Sequence, residues 1–386
     1  MKIESKMDKV TTSIFSVMSK LALECNAVNL SQGFPDYPAD PELKDLVCKY
    51  IQRDHNQYAP MPGVPALLTQ IADKIERSYS WRPIADSQIT VTTGASQAIC
   101  SAIGMLIRPG DEAVIIEPAY DSYKPAVMMN GGKVNVYEMK APDFKVDWEA
   151  LESLVNDKTR MLIVNNPHNP TGTIFDEEDM KQIVRICEKY DLIILSDEVY
   201  EHLVFDESKH LSILQYPELR SRGMAVFSFG KSLHATGWKT GYIIAPKELT
   251  SEFRKVHQFT VFCVNTPVQY AIAEYMTTHM DWSALGKFFE SKRDLLYQGL
   301  QGTGLKPFRC EGTYFQLYDY SSISDRKEED FAVWLTREYG VATIPISPFY
   351  SSDREQSLIR VCFAKHDETI RKACEALKQL KSAQKV

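Results

Sequence analysis

The segment 228–242, S-F-G-K-S-L-H-A-T-G-W-K-T-G-Y, sets Lys231 just after a short apolar run and among small residues. Two chemistries use a lysine in such a setting. Gly230-Lys231-Ser232 matches the end of a phosphate-cradling nucleotide loop. An amine in partly apolar surroundings, in contrast, has a lowered pKa and attacks carbonyl carbon. The nucleotide loop requires a glycine five residues before Gly230, where Ala225 stands, and Val226-Phe227-Ser228-Phe229 reads as a strand. The acid pair of L-I-I-L-S-D-E (192–198), which resembles the second half of a nucleotide site, precedes the lysine and so reverses the order. The reactive amine is the better fit.

Pyridoxal phosphate (PLP) asks for such a lysine, an acid to keep its ring nitrogen protonated, and a phosphate cradle. Asp197 ends an otherwise apolar run, a costly place for a carboxylate unless it is paired; a helix cap or a solvent-facing position is the alternative. T-T-G-A-S-Q (92–97), with Gly94, Ala95 and Ser96, reads as a strand-to-helix junction whose free N–H groups suit phosphate. Lys239 adds either a cation to that phosphate or an ordinary surface charge. Tyr120, in E-P-A-Y-D-S-Y, offers a ring for stacking or a core filler. In N-N-P-H-N-P-T-G (165–172), two prolines fix a loop that presents side-chain amides, although a plain turn has the same composition.

Elements that would position these residues are visible around them. Apolar runs at 88–92, 113–117, 133–137, 160–165, 191–196 and 225–229 predict strands, and 95–107 and 177–190 predict helices between them. This alternation implies an α/β fold with a mainly parallel, doubly wound sheet, whose ligands sit at the carboxyl ends of the strands. From about residue 281 the texture changes to a long helix (282–301) and mixed elements, which predicts a smaller α+β domain. The expected division is an N-terminal arm with part of the small domain over 1–44, a large domain over 45–280, and the small C-terminal domain over 281–386.

Composition narrows the partners. The chain has 386 residues and a formal charge of −7, which argues against a nucleic-acid surface. Lys378, Lys381 and Lys385 make only the extreme C-terminus basic, as a solvated helix end would be. Eight cysteines are spread singly, as expected of free thiols in a reducing compartment, and the histidines show no metal-ligand spacing. The charged start M-K-I-E-S-K-M-D-K-V lacks a secretory core, and no run is long enough to span a bilayer. A cytoplasmic protein with no metal and no membrane partner is expected.

The motifs together resemble fold-type I PLP enzymes, the class I/II aminotransferases, over nearly the whole chain. They are N-L-S-Q-G-F-P-D (29–36), N-Q-Y-A-P-M-P-G (56–63), the G-A-S junction, N-P-H-N-P-T-G, S-D-E-V-Y, the lysine segment and I-R-V-C-F-A (359–364). Within that family the chain is similar to the branch of bacterial methionine aminotransferases and glutamine transaminase/kynurenine aminotransferases. The resemblance implies that Lys231 carries the cofactor as a Schiff base and moves the proton between substrate α-carbon and cofactor C4′. It implies that Asp197 pairs with the ring nitrogen, and that Tyr200 and Asn169 hydrogen-bond the 3-oxygen. The phosphate falls to Ala95 and Ser96, beside Gly94, and to Ser228, Lys239 and Tyr58 of a partner subunit. Arg360 clamps the α-carboxylate, helped by Asn169 and the Gly33 backbone. A borrowed tyrosine implies a homodimer, with an amino acid and a 2-oxo acid as substrates.

One departure bears on specificity. Aspartate-specific relatives carry an arginine in the stretch matching 257–267, which here has none. A neutral side chain is therefore expected, in a pocket lined by Phe15, Tyr58, Phe262 and Tyr120, with methionine first. Phe15 stands where kynurenine-using relatives tend to carry tryptophan. The same cofactor would also support a cysteine-conjugate β-lyase. A non-catalytic regulator is disfavoured, because Lys231, Asp197 and Arg360 are all present and little chain precedes the first motif.

Overall fold

The computed structural model describes residue 7, residues 12–279 and residues 281–382. Most of the charged N-terminal stretch and Lys385 lie outside the described residues, as does the side chain of Lys381. Among the described residues the strands are, in chain order, β1 (Val28–Asn29), β2 (Ile89–Thr92), β3 (Glu112–Glu117), β4 (Lys133–Glu138), β5 (Thr159–Asn165), β6 (Ile193–Asp197) and β7 (Gly223–Ser228). Then follow β8 (Gly241–Ile244), β9 (Lys306–Pro307), β10 (Phe315–Asp319), β11 (Val341–Ala342), β12 (Ile344–Pro345) and β13 (Leu358–Cys362).

Seven of them form one sheet in the order β2-β8-β7-β6-β5-β3-β4. Neighbours from β7 through β4 are parallel, whereas β8 runs antiparallel to both β2 and β7. Their sequences are apolar almost throughout because both faces are covered. Val114 and Ile116 of β3 join one core with Leu162, Val164, Ile194 and Phe227, while Ala113 and Ile115 join another with Met161, Ile163, Leu195 and Val226. That is the two-residue alternation of a strand, read on both sides at once.

The expected strands are present with ends shifted by one or two residues, and the expected helices appear as Gly94–Leu106 and Glu177–Lys189. Ala98, Ile99, Ala102 and Ile103 are buried on the first helix, at the three- and four-residue spacing of one helical face, and Ala95 and Leu106 are half-buried. The antiparallel β8, Gly241-Tyr242-Ile243-Ile244, starts at the end of the lysine segment and was not among the expected strands.

A four-stranded antiparallel sheet, β12-β13-β10-β9, and the parallel pair β1-β11 lie outside the large sheet. Their core gathers Leu30, Tyr314, Phe315, Tyr318, Ile359, Val361 and Cys362 with Phe289 and Leu296 of the helix Trp282–Gly299. Pairing of β1 with β11 ties the N-terminal segment to this unit. All eight cysteines are free, with Cys187, Cys310, Cys362 and Cys374 buried and Cys48 exposed. No described helix is long and apolar enough to cross a membrane, and no described group of His, Cys, Asp and Glu is arranged to hold a metal.

Candidate active site

The carboxyl ends of β2, β6 and β7 meet in one cavity lined by residues from Gly94 to Thr240. Gly241 opens β8 opposite both Thr92 and Ser228, so the two strand ends are held side by side. Lys231 follows β7 on the single turn Phe229–Ser232. Its Nζ donates to the Gly33 carbonyl at 3.1 Å and to the Tyr314 hydroxyl at 2.6 Å. Burial lowers its pKa to about 8, and the nearby Arg360 and Lys239 act in the same direction against the attraction of Asp197. The lowered pKa gives the amine a far larger neutral, nucleophilic fraction near physiological pH than an ordinary lysine has.

Asp197 is the last residue of β6 and is buried. Its carboxylate accepts from the Tyr123 hydroxyl at 2.6 Å and from the Val199 N–H at 3.3 Å. Burial pushes its pKa up to about 6, partly offset by those two hydrogen bonds and by Lys231. No cation forms an ion pair with Asp197 among the described residues. Asn165, at the end of β5, donates to the Asp197 carbonyl at 2.8 Å and accepts from the Asn169 N–H at 2.8 Å. The N-N-P-H-N-P-T-G loop is therefore tied to β6, and Asn169 faces the cavity.

The helix Gly94–Leu106 starts at the cavity wall without a side-chain cap from Thr93, whereas the helix Glu177–Lys189 carries a complete capping box from Asp176 and Asp179. Its first N–H groups and the positive end of its dipole are left for an anion. Gly94 adopts φ +71°, and Lys239 lies against it, with Cε and Nζ both 3.5 Å from where a Cβ would stand. Ala95, Ser96, Ser228 and Lys239 thus line one end of the cavity, and Tyr120 and Tyr200 line it beside Asp197. The Tyr120 hydroxyl is 3.4 Å from Ser96 Oγ.

Arg360 approaches from β13 and is buried. One Nη donates to Asn169 Oδ1 at 2.7 Å and the other to the Ser31 carbonyl at 3.3 Å, while Nε has no partner. The guanidinium lies 3.7 Å from the Phe315 ring centre, with Phe15 at 5.1 Å and Phe349 at 5.2 Å. Burial lowers its pKa to about 10. No carboxylate pairs with it among the described residues.

Sequence reasoning missed Tyr123, Tyr314, Phe315 and Phe349. Tyr314 and Tyr123 carry no local spacing that marks them. Tyr58 and Phe262 pack against each other edge-to-face at 5.3 Å, and both are exposed, Tyr58 at 82%. Neither lines this chain's own cavity, unlike Phe15 and Tyr120, which stand within it or beside Arg360.

A lysine, a buried acid and an uncapped helix end at the strand termini of a doubly wound sheet define a PLP enzyme of fold type I. The family model for aminotransferase class I and II matches residues 26–377, and the chain belongs to that family. It is 44% identical to the methionine aminotransferase of Escherichia coli over 98% of both chains. It is 33% identical to human kynurenine–oxoglutarate transaminase 3, covering 97% of this chain and 89% of that one. An Escherichia coli structure described as having a methionine aminotransferase function superposes with a TM-score of 0.96, at 44% identity over 98% of this chain and 100% of the other. N-succinyldiaminopimelate aminotransferase of Mycobacterium tuberculosis gives 0.94 at 34% identity over 98% and 100%. The protein is a PLP-dependent transaminase, and the cavity fits that cofactor: its lining includes both a buried carboxylate with no counter-cation among the described residues and an uncapped helix end.

Proposed function

We propose that the chain moves the amino group of an L-amino acid with a neutral apolar or aromatic side chain, methionine first, to a 2-oxo acid by a ping-pong sequence. The observation that carries this is Arg360. It is a buried cation with no carboxylate partner among the described residues and an unsatisfied Nε, walled by Phe15, Phe315 and Phe349. A substrate α-carboxylate supplies the missing charge, while a second carboxylate would meet aromatic rings and no arginine in 257–267. The similarity to methionine aminotransferase supports the same choice.

Bound in the cavity, PLP supplies the electron sink that makes the substrate α-carbon acidic. Asp197 holds the proton on the ring nitrogen, and its buried, cation-free setting makes that pairing favourable. Asn169 turns Oδ1 to Arg360, which leaves its NH2 for the cofactor's 3-oxygen alongside the Tyr200 hydroxyl. The Ala95 and Ser96 N–H groups next to Gly94, with Ser228 and Lys239, bind the phosphate, and Tyr120 offers its ring to the cofactor face. Lys231 takes the proton from the substrate α-carbon, for which a pKa near neutrality is suited. The Gly33 backbone, whose carbonyl meets Lys231, is expected to help Arg360 hold the α-carboxylate through its N–H.

Tyr58 and Phe262, exposed and mutually packed, are read as facing the site of a second copy in a C2 homodimer. The large domain over 45–280 and the small domain formed by 1–44 with 281–386 accord with the separate sheets and the β1-β11 pairing. Eight free thiols accord with a cytoplasmic setting. The test is kcat/KM for L-methionine against L-aspartate with one 2-oxo acid. We expect methionine to lead by on the order of a hundredfold. Equal use of aspartate would overturn the neutral-substrate reading.

A further inference from the structure

We propose that Tyr314 is the positioning residue for the Lys231 amine, its hydroxyl and the Gly33 carbonyl forming a seat that fixes Nζ whenever the amine is not bonded to carbon. The inference rests on Lys231 being the reactive amine. The three polar groups close a triangle: Lys231 Nζ donates to both oxygens, and the Tyr314 hydroxyl donates in turn to the Gly33 carbonyl.

The seat is rigid for stated reasons. Tyr314 is fully buried and held by the rings of Tyr200 at 5.1 Å, Phe289 at 5.7 Å and Phe315 at 4.8 Å. Gly33 brings its carbonyl this close because it lacks a side chain; a Cβ there would stand 2.7 Å from the Phe315 ring. Both acceptors are neutral. They hold the amine in either protonation state, whereas a carboxylate would lock it as ammonium.

Three separate parts of the chain meet at this one nitrogen: the turn after β7, the N-terminal segment at Gly33, and the residue before β10. The charged and titratable groups that face it are Asp197 from β6, Tyr200 just beyond β6, Arg360 and Cys362 from β13, and Lys239 ahead of β8. None of these is bonded to Nζ, so orientation falls to Tyr314 and Gly33. Removing the hydroxyl takes away an acceptor that favours the ammonium form, and burial then acts with less opposition.

The experiment strips PLP from the full-length chain, returns it across a pH series, and traps the covalent product on Lys231 with borohydride. Tyr314→Phe, which keeps every ring contact, is compared with wild type. Tyr318→Phe serves as control, since that buried hydroxyl has no partner among the described residues. The midpoint of trapping in Tyr314→Phe should fall about one pH unit below wild type. Its kcat should drop roughly tenfold while KM for the amino acid stays within about twofold. Tyr318→Phe should match wild type in each respect. An unmoved midpoint in Tyr314→Phe overturns the proposal, even if kcat falls, because packing alone would lower kcat. An equal displacement in Tyr318→Phe overturns it too. Label arriving on a lysine other than Lys231 in wild type would instead refute the amine assignment itself.

Discussion

Lys74 and Lys231 are both lysines turned into the protein, and they are held in opposite ways. Lys74, on the helix Pro65–Tyr79, is only 1% exposed and pairs with the Glu201 carboxylate, which also accepts from Tyr79; its Nζ donates to Tyr242 at 3.2 Å. Among the described residues, Lys231 Nζ is hydrogen-bonded to a carbonyl and a phenol and to no carboxylate. Near it, among the described residues, Asp197 lacks a cation and Arg360 lacks an anion. A buried charge matched within the chain is scaffold, because its partner is always present and removing that partner leaves the charge uncompensated. Buried charges left unmatched around one cavity are complementary to a ligand that brings the missing ones.

The sharpest break between the two regions is expected from Lys231→Ala. Turnover should vanish, yet the melting temperature of the cofactor-free protein should hold or rise, because an amine that burial disfavours has been removed. A large loss of stability would put Lys231 in the same class as Lys74. Arg360→Ala comes next. It should lower kcat/KM for the amino acid by about 2–5 kcal/mol, roughly thirty- to several-thousand-fold, through loss of a buried charge-assisted pair. Unchanged amino-acid kinetics would place the carboxylate clamp elsewhere.

Glu201→Ala should do the reverse of Lys231→Ala. Leaving Lys74 buried and alone should cost about 3–5 kcal/mol in urea unfolding, while the folded fraction keeps its turnover. The smallest effect is in pH. The neutral amine is the nucleophile, so a lowered pKa moves its reaction with PLP to lower pH. Trapping on Lys231 should therefore rise through about pH 8, where an ordinary lysine would rise near 10.5. A midpoint at the ordinary value would mean that burial does not act on this amine.

The parts legible in the sequence were those with local cause. Parallel strands buried on both faces leave continuous apolar runs, so β3, β5, β6 and β7 could be read within a residue or two. Lys231, Asp197 and the Gly94 junction stand at strand ends, where spacing along the chain already places them. Tyr123 and Tyr314 had no such signal. Tyr123 reaches Asp197 across 74 residues and Tyr314 reaches Lys231 across 83, and each is one of nineteen tyrosines. Only the antiparallel sheet that carries Arg360 brings Phe315 to its guanidinium, and no run of residues encodes that register. The exposure of Tyr58 and Phe262 likewise follows from tertiary placement, since both sit in partly apolar sequence.

The most direct test of the central claim is the visible absorption spectrum of the PLP-loaded, full-length protein before and after L-methionine alone, and again after a 2-oxo acid. The account predicts a yellow band that fades with methionine and returns with the oxo acid, since each half of the exchange is complete in itself. A yellow band indifferent to methionine would contradict the proposed donor, and the absence of any such band would contradict the role given to Lys231.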